Sequence, residues 1–174
     1  LIELGVSEGG SGSKFVSTHP DQDSLSFVSR KASYSLLDYI IEAQEVYKIE
    51  VADAIIFPSD GFVTVETGAM MRSFEGANIL VNKEKRYHEL FDADVTIHGR
   101  KSYSGSASIN FNGRGVGEQL IRFDSLYVDN INQSVGFGTI SKNLAFKFNP
   151  KFSYKGSVKM EGSTKEFYYD GAYK

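Results

Sequence analysis

Three histidines, His19, His88 and His98, are the residues of this sequence with the clearest capacity for metal chemistry. Alternate residues of a strand share one face, so His98 should lie on the same side as Asp94, with His88 a loop away. Two histidines and a carboxylate form an accepted ligand set, which makes His88, His98 and Asp94 candidate metal ligands. Their spacing matches no established motif. We favour the alternative interpretation, an exposed strand histidine beside a turn histidine, and therefore predict no metal.

Tyrosine rings offer a second kind of chemistry, the stacking of sugars on an exposed aromatic face. Strand alternation predicts that Tyr103, Tyr127 and Tyr168 face outward, and they are the candidate ligand-binding residues. The alternative is cross-strand packing, in which such rings stabilise a sheet. The sequence contains no tryptophan, which weighs against carbohydrate binding.

Catalytic signatures are missing from the sequence. It has no cysteine, no G-x-S-x-G, no H-E-x-x-H and no phosphate-binding loop. The glycine-rich segment 113–117 lacks the Lys-Ser/Thr pair of a phosphate loop, and Glu118 would repel an anion, so it predicts a hairpin connection. We therefore predict no enzyme, no catalytic residue and no cofactor.

Size and charge narrow the class of protein further. A chain of 174 residues fits a single domain, here taken as 1–174, and the net charge of -3 argues against a nucleic-acid partner. No segment approaches the roughly 20 apolar residues of a membrane-spanning helix. The sequence opens on Leu1 without a start methionine, so we expect a piece of a longer protein. The stretch 9–13 has the composition of a flexible loop.

The elements that would position these side chains are predicted to be strands. One step recurs at uneven intervals, a small residue followed two positions later by a larger apolar one: Ala54 and Ile56, Ala77 and Ile79, Ala93 and Val95, Ala107 and Ile109. Each copy sets its apolar residues on one face of a strand. Uneven spacing argues against a strict solenoid and favours an antiparallel all-β fold with little or no helix. An irregular stack, a jelly roll or a β-sandwich would each fit.

Two regions extend the strand prediction. Phe152 to Glu161 alternates apolar with polar residues, and a second such run ends at Tyr173, each with a mid-strand glycine. Residues 34–51 are ambiguous, because Leu36, Leu37 and Ile40 follow helical spacing while the composition suits strands. We favour two strands that break near Asp38.

The sequence resembles large, repetitive, β-rich envelope proteins of Bacteroides-type bacteria, a family without an assigned activity. The resemblance is carried by Pro20, Asp23, Leu25 and Phe27, by Val51-Ala52-Asp53-Ala54, by Asp60-Gly61, by Tyr87-His88, by Asp92-Ala93 with Gly99-Arg100, and by Phe152, Tyr154, Gly156 and Val158. The Ala52-Asp53-Ala54 segment with its following Asp-Gly turn is also similar, more remotely, to the OstA-like jelly roll of lipopolysaccharide transport.

The resemblance implies a cell-envelope location, periplasmic or associated with the outer membrane. Partners would be other domains of the same polypeptide or other envelope proteins. The leading hypothesis is therefore a non-catalytic structural or protein-interaction segment. A carbohydrate-binding module and a lipid-handling jelly roll are the alternatives, with glycan or lipid as ligand.

Overall fold

The computed structural model describes residues 2–6 and 12–173, and this part of the chain is almost entirely β structure. The strands are β1 Ile2–Val6, β2 Ser13–Ser17, β3 Ser26–Ser29, β4 Lys31–Ser35, β5 Ile40–Gln44, β6 Ile49–Val51, β7 Ala54–Phe57, β8 Val63–Val65, β9 Phe74–Val81, β10 His88–Gly99, β11 Ser102–Gly113, β12 Gly117–Val128, β13 Ser134–Ile140, β14 Lys147–Asn149, β15 Phe152–Glu161 and β16 Tyr168–Tyr173. Three short 3₁₀ turns cover Pro20–Gln22, Thr67–Ala69 and Lys142–Leu144. Within the described ranges no helix is long and apolar enough to cross a membrane.

Most strands belong to one large antiparallel sheet whose order largely follows the chain. It runs β1-β2-β3-β6-β7-β9-β10-β11-β12-β13-β15-β14, with β16 also paired to β15. A small sheet, β4-β5-β8, interrupts this meander. The predicted antiparallel all-β fold with little helix is confirmed.

The recurring small-then-apolar step builds the core as its alternation predicted. Both residues of every copy are buried, from Ala54 and Ile56 to Ala107 and Ile109. Neighbouring copies also pair, since Ile56 lies opposite Ile79 and Ala77 opposite Ala93. The buried residues of both sheets form one hydrophobic cluster.

The ambiguous region 34–51 forms strands joined by turns and not a helix. β4 ends at Ser35 and β5 begins at Ile40, so the break falls at Asp38 as favoured. Ser35 Oγ donates to Asp38 Oδ2 and accepts from the Asp38 backbone N–H, and Tyr39 has a positive φ of 56°, which together form the turn. The helical spacing of the leucines therefore arises by chance in a hairpin.

The large sheet curls until distant strands meet along a line that we call the closure seam. Asp53 in the β6–β7 turn binds Ser134 at the start of β13, and Asn82 Nδ2 donates to Gly162 O over 2.8 Å. His88 Nε2 lies 2.7 Å from Thr164 O. The space enclosed is filled by large buried side chains, among them Tyr103, Phe123, Phe146 and Met160.

Of the two predicted connecting segments, the turn at 113–117 is confirmed and the loop at 9–13 is only partly described. Residues 113–117 do form the β11–β12 connection, since Gly113 pairs with Gly117. Of the predicted loop 9–13, residues 9–11 lie outside the described residues and Ser13 already belongs to β2. At the C-terminal end, Gly156 pairs with Gly171, and a Cβ would collide with Asp170 O at Gly156 and with Lys155 O at Gly171, which explains both glycines.

Candidate functional site

The end of the β4–β5 hairpin exposes large apolar side chains. Leu36 is 77% exposed and Leu37 90%, while the flanking Tyr34 and Tyr39 are 52% and 62% exposed. The turn explains this, because a tight reversal leaves its central residues without a neighbouring strand to pack against. A soluble protein rarely concentrates so much apolar surface in one short segment without a binding role.

A groove lies beside this hairpin end, between the small sheet and the β2 side of the large sheet. It encloses about 910 Å³, within the range of ligand-binding clefts. Its apolar lining includes Phe15, Tyr34, Tyr39, Ile41 and Val65. Strand register explains the alignment, since Tyr34 pairs with Ile41 and Ile41 with Val65, which places one residue from each strand on the same face. We call this the hairpin groove.

The rim of the hairpin groove is charged and partly self-neutralised. Arg30 and Glu66 line the groove, and each is ion-paired with a residue outside its lining. Arg30 Nη1 lies 3.6 Å from Glu45 Oε2, and Glu45 Oε1 lies 2.9 Å from Lys31 Nζ. The hydrogen bond from Lys31 lowers the pKa of Glu45 below its usual range, so the carboxylate stays ionised. On the opposite side Arg72 Nη2 contacts Glu66 Oε1 at 2.8 Å. The arrangement is an apolar floor with a polar border.

Of the three candidate tyrosines, Tyr103 was wrongly predicted to face outward. It is only 1% exposed, and its hydroxyl donates to Ser134 Oγ over 2.6 Å inside the core. Burial raises its pKa. The error arose because strand alternation places a residue on one of two faces without saying which face is covered.

Tyr127 and Tyr168 do reach the outer face, where the structure brings them into one row. The Tyr127 ring stacks on Phe137 with 6.3 Å between ring centroids, and Lys159 Nζ lies 5.6 Å from the Phe137 ring centre. Lys159 pairs with Tyr168 on the next strand. Both partners of Phe137 are thus cross-strand neighbours, which is the geometry of sheet-stabilising pairs. Phe137 itself was missed, because glycines flank it and its strand lacks clear alternation.

The three candidate metal ligands are not brought together. His88 is buried, contacts Thr164 O and stacks on Phe167 at 5.1 Å, so it is not a turn histidine on the surface. His98 is exposed and its Nε2 lies 2.7 Å from Ser104 Oγ. Asp94 Oδ2 instead lies 3.6 Å from Arg122 Nη2. Across residues 2–6 and 12–173, no three histidines or carboxylates cluster as a metal site would require.

The sequence did not predict that Leu36 and Leu37 would be exposed. Leu36 and Leu37 were weighed as part of a helical or strand core, since leucine pairs usually are buried. The Ser35 and Asp38 turn was the signal available, because residues between two turn-formers sit at a hairpin end.

Comparison of the chain with protein-family models, with curated proteins and with solved structures gives no match.

Proposed function

We propose that this chain is a non-catalytic interaction domain of a larger cell-envelope protein, which binds a partner protein through the hairpin end and the hairpin groove. The observation that carries the proposal is the exposure of Leu36, Leu37, Tyr34 and Tyr39 in one short segment beside an open cleft. The partner would be another domain of the same polypeptide or a second envelope protein.

The chemistry of the surface suits a protein partner. Tyrosine and leucine give large contact areas, and tyrosine loses little conformational freedom when it is ordered by binding. The groove floor could accept an apolar anchor while Arg30 and Glu66 border it with opposite charges. Such an apolar centre with a polar rim is the common anatomy of protein interfaces.

The strand beside the groove supports an extended segment as ligand. Among the described residues β4 pairs with β5 alone, so its other edge offers backbone donors and acceptors. A peptide that added itself to this edge would direct alternate side chains into the groove. Lys31 on β4 is a typical device against unspecific edge pairing, and it leaves the rest of the edge available.

The alternatives have weaker support. A lipid-handling jelly roll needs an open interior, and the interior here is occupied by Tyr103, Phe123 and Met160. A carbohydrate-binding module based on Tyr127 and Tyr168 needs free ring faces, and Phe137 and Lys159 lie between these two rings.

The test is a peptide-display selection on the complete chain, followed by affinity measurement of the recovered peptides. Because Leu36 and Leu37 bury almost nothing in the fold, a Leu36→Ser/Leu37→Ser variant should keep its thermal stability and bind about tenfold more weakly or worse, a loss of about 1.4 kcal/mol. The matched control is Leu120→Ser/Ile131→Ser, which removes exposed apolar side chains elsewhere and should bind normally.

Equal binding by the Leu36→Ser/Leu37→Ser variant would refute the proposal. Recovery of no peptide, combined with saturable binding of a fluorescent fatty acid that Tyr39→Ala abolishes, would replace it with the lipid-handling hypothesis.

A further inference from the structure

A second concave surface lies along the large sheet and meets the hairpin groove at Arg30, which lines both. Two adjoining cavities of about 1030 Å³ and 840 Å³ share Tyr47, Lys48 and Phe57 in their walls. Together they form a continuous depression from β2 to β11, which we call the outer trough. Its length spans several strands, so it suits an elongated ligand better than a compact one.

The floor of the outer trough is apolar and its centre carries an exposed ring. Half-buried Ile55 and Phe57 on β7 pair with buried Leu80 and exposed Asn78 on β9, so the floor is apolar at three of these four positions. Tyr47 stands over this floor with 77% of its surface exposed, held edge-to-face against Phe57 at 5.5 Å. A ring fixed by a neighbour and open to solvent on its other side is pre-organised for stacking.

Positive charge dominates the rim. The lining cations are Lys14, Arg30, Lys48, Arg86 and Arg100, and they outnumber the carboxylates Glu45, Glu50 and Glu89. Lys48 Nζ lies 2.7 Å from Glu50 Oε1 and Arg30 Nη1 lies 3.6 Å from Glu45 Oε2, whereas Lys14 and Arg86 form no ion pair with residues 12–173. This excess stands against a net charge of -3 for the whole protein, so the cations are concentrated at the trough.

The floor of the outer trough cannot bind a peptide as an added strand. β7 and β9 are paired on both sides, so their backbone groups are already used and an extended peptide cannot add a strand here. The available hydrogen-bonding groups are side chains, including the amides of Asn78 on β9, which pairs with Phe57, and of Asn110 on β11. Side-chain amides, cations and an exposed ring match the hydroxyl, carboxylate and flat C–H faces of a sugar chain.

From this geometry we propose that the outer trough binds an anionic glycan chain, one whose sugars carry carboxylate groups. Tyr47 stacks on one sugar, Asn78 and Asn110 contact hydroxyl groups, and Lys14, Arg86 and Arg100 receive the carboxylates. The site borders the hairpin groove at Arg30, which lines both, but it does not depend on the function proposed for that groove. None of the tyrosines selected from the sequence contributes to it.

The experiment titrates the complete chain with tetragalacturonic acid and with its neutral methyl ester, by calorimetry and by chemical-shift perturbation. The acid should bind, the ester should bind at least several-fold more weakly, and added salt should weaken the acid alone. Tyr47→Ala should weaken binding about tenfold, which corresponds to about 1.4 kcal/mol. Lys14→Gln/Arg86→Gln should reduce affinity for the acid to that of the ester.

Tyr39→Ala is the matched control, because it removes another exposed tyrosine (62% exposed, against 77% for Tyr47) from the hairpin groove and should bind the acid normally. Binding of neither saccharide, or unchanged binding by Tyr47→Ala, would overturn the proposal. Tighter binding of an acidic peptide than of the tetrasaccharide would reassign the trough to a protein partner.

Discussion

The closure seam makes a quantitative prediction, because one carboxylate joins strands that are far apart in the sheet. Asp53 Oδ1 accepts from the Ser134 backbone N–H at 3.0 Å and from the Ser134 hydroxyl. Ser134 Oγ in turn accepts from the Tyr103 hydroxyl over 2.6 Å. The β6–β7 turn and β13 are separated in sheet order by β9 to β12, so this contact closes the curl.

Asp53→Ala would leave two buried donors of Ser134 without an acceptor. Each unsatisfied donor lowers the free energy of unfolding by about 1–3 kcal/mol. Because Asp53 is half-buried, water should replace part of the lost hydrogen bonding, so we expect a total loss of about 3 kcal/mol. Asp53→Asn keeps an acceptor oxygen and loses only the charge, so it should cost about 1 kcal/mol. For a chain of this length these losses correspond to melting-temperature decreases of about 6–12 °C and about 2–4 °C.

Urea unfolding followed by far-ultraviolet circular dichroism and tyrosine fluorescence measures both variants. Asp124→Ala, which removes an exposed carboxylate from β12, is the control and should change stability by less than about 0.5 kcal/mol. In a Ser134→Ala background one donor is already gone, so Asp53→Ala should cost about half as much. Three results would contradict a role for Asp53 in closing the sheet. They are an unchanged free energy of unfolding in Asp53→Ala, an equal loss in Asp53→Asn and Asp53→Ala, and a loss from Asp53→Ala that is unchanged in the Ser134→Ala background.

Two further predictions concern pH and glycine. Burial lowers the pKa of His88 below 6.5, although Thr164 O, Asp53 and Glu166 partly oppose this shift. As the pH drops, the unfolded chain therefore binds the proton before the folded chain does, and the free energy of unfolding should fall below about pH 6.5. Unfolding free energies at pH 7.5 and pH 5 check this, and the decrease should vanish in His88→Phe but persist in His98→Gln. A Cβ at Gly138 would collide with the Arg122 carbonyl oxygen, so Gly138→Ala should lower the free energy of unfolding by about 3 kcal/mol. Gly68 has a positive φ of 75° but open space around it, so Gly68→Ala should lower it by only about 1 kcal/mol. Equal costs in chemical denaturation would show that close strand approach is not the cause.

What the sequence could predict is the part of the fold that local pattern determines. Alternation identified the buried faces of β7, β9, β10 and β11, because each strand carries its own small-then-apolar signal. The strand-like composition of residues 34–51 favoured strands that break near Asp38, where the turn lies. Both are properties of a few neighbouring residues.

The missed features depend on residues that are distant in sequence. Tyr103 is buried because Ser134 and the curled sheet cover it, and Asp53 reaches Ser134 across 81 positions. His88 is likewise covered by the segment around Thr164 and Phe167. No local pattern specifies how far a sheet curls, so the side on which Tyr103 would be enclosed could not be derived.

The interruption of the meander coincides with the surface for which we propose a binding role. From β9 to β13 each strand pairs with the next along the chain, and its large apolar residues are mostly buried in the shared core. The chain leaves this pattern to form β4, β5 and β8, and there it exposes Leu36 and Leu37. Because a hairpin that buries little contributes little to folding, its apolar side chains are better explained by a partner than by the stability of this domain.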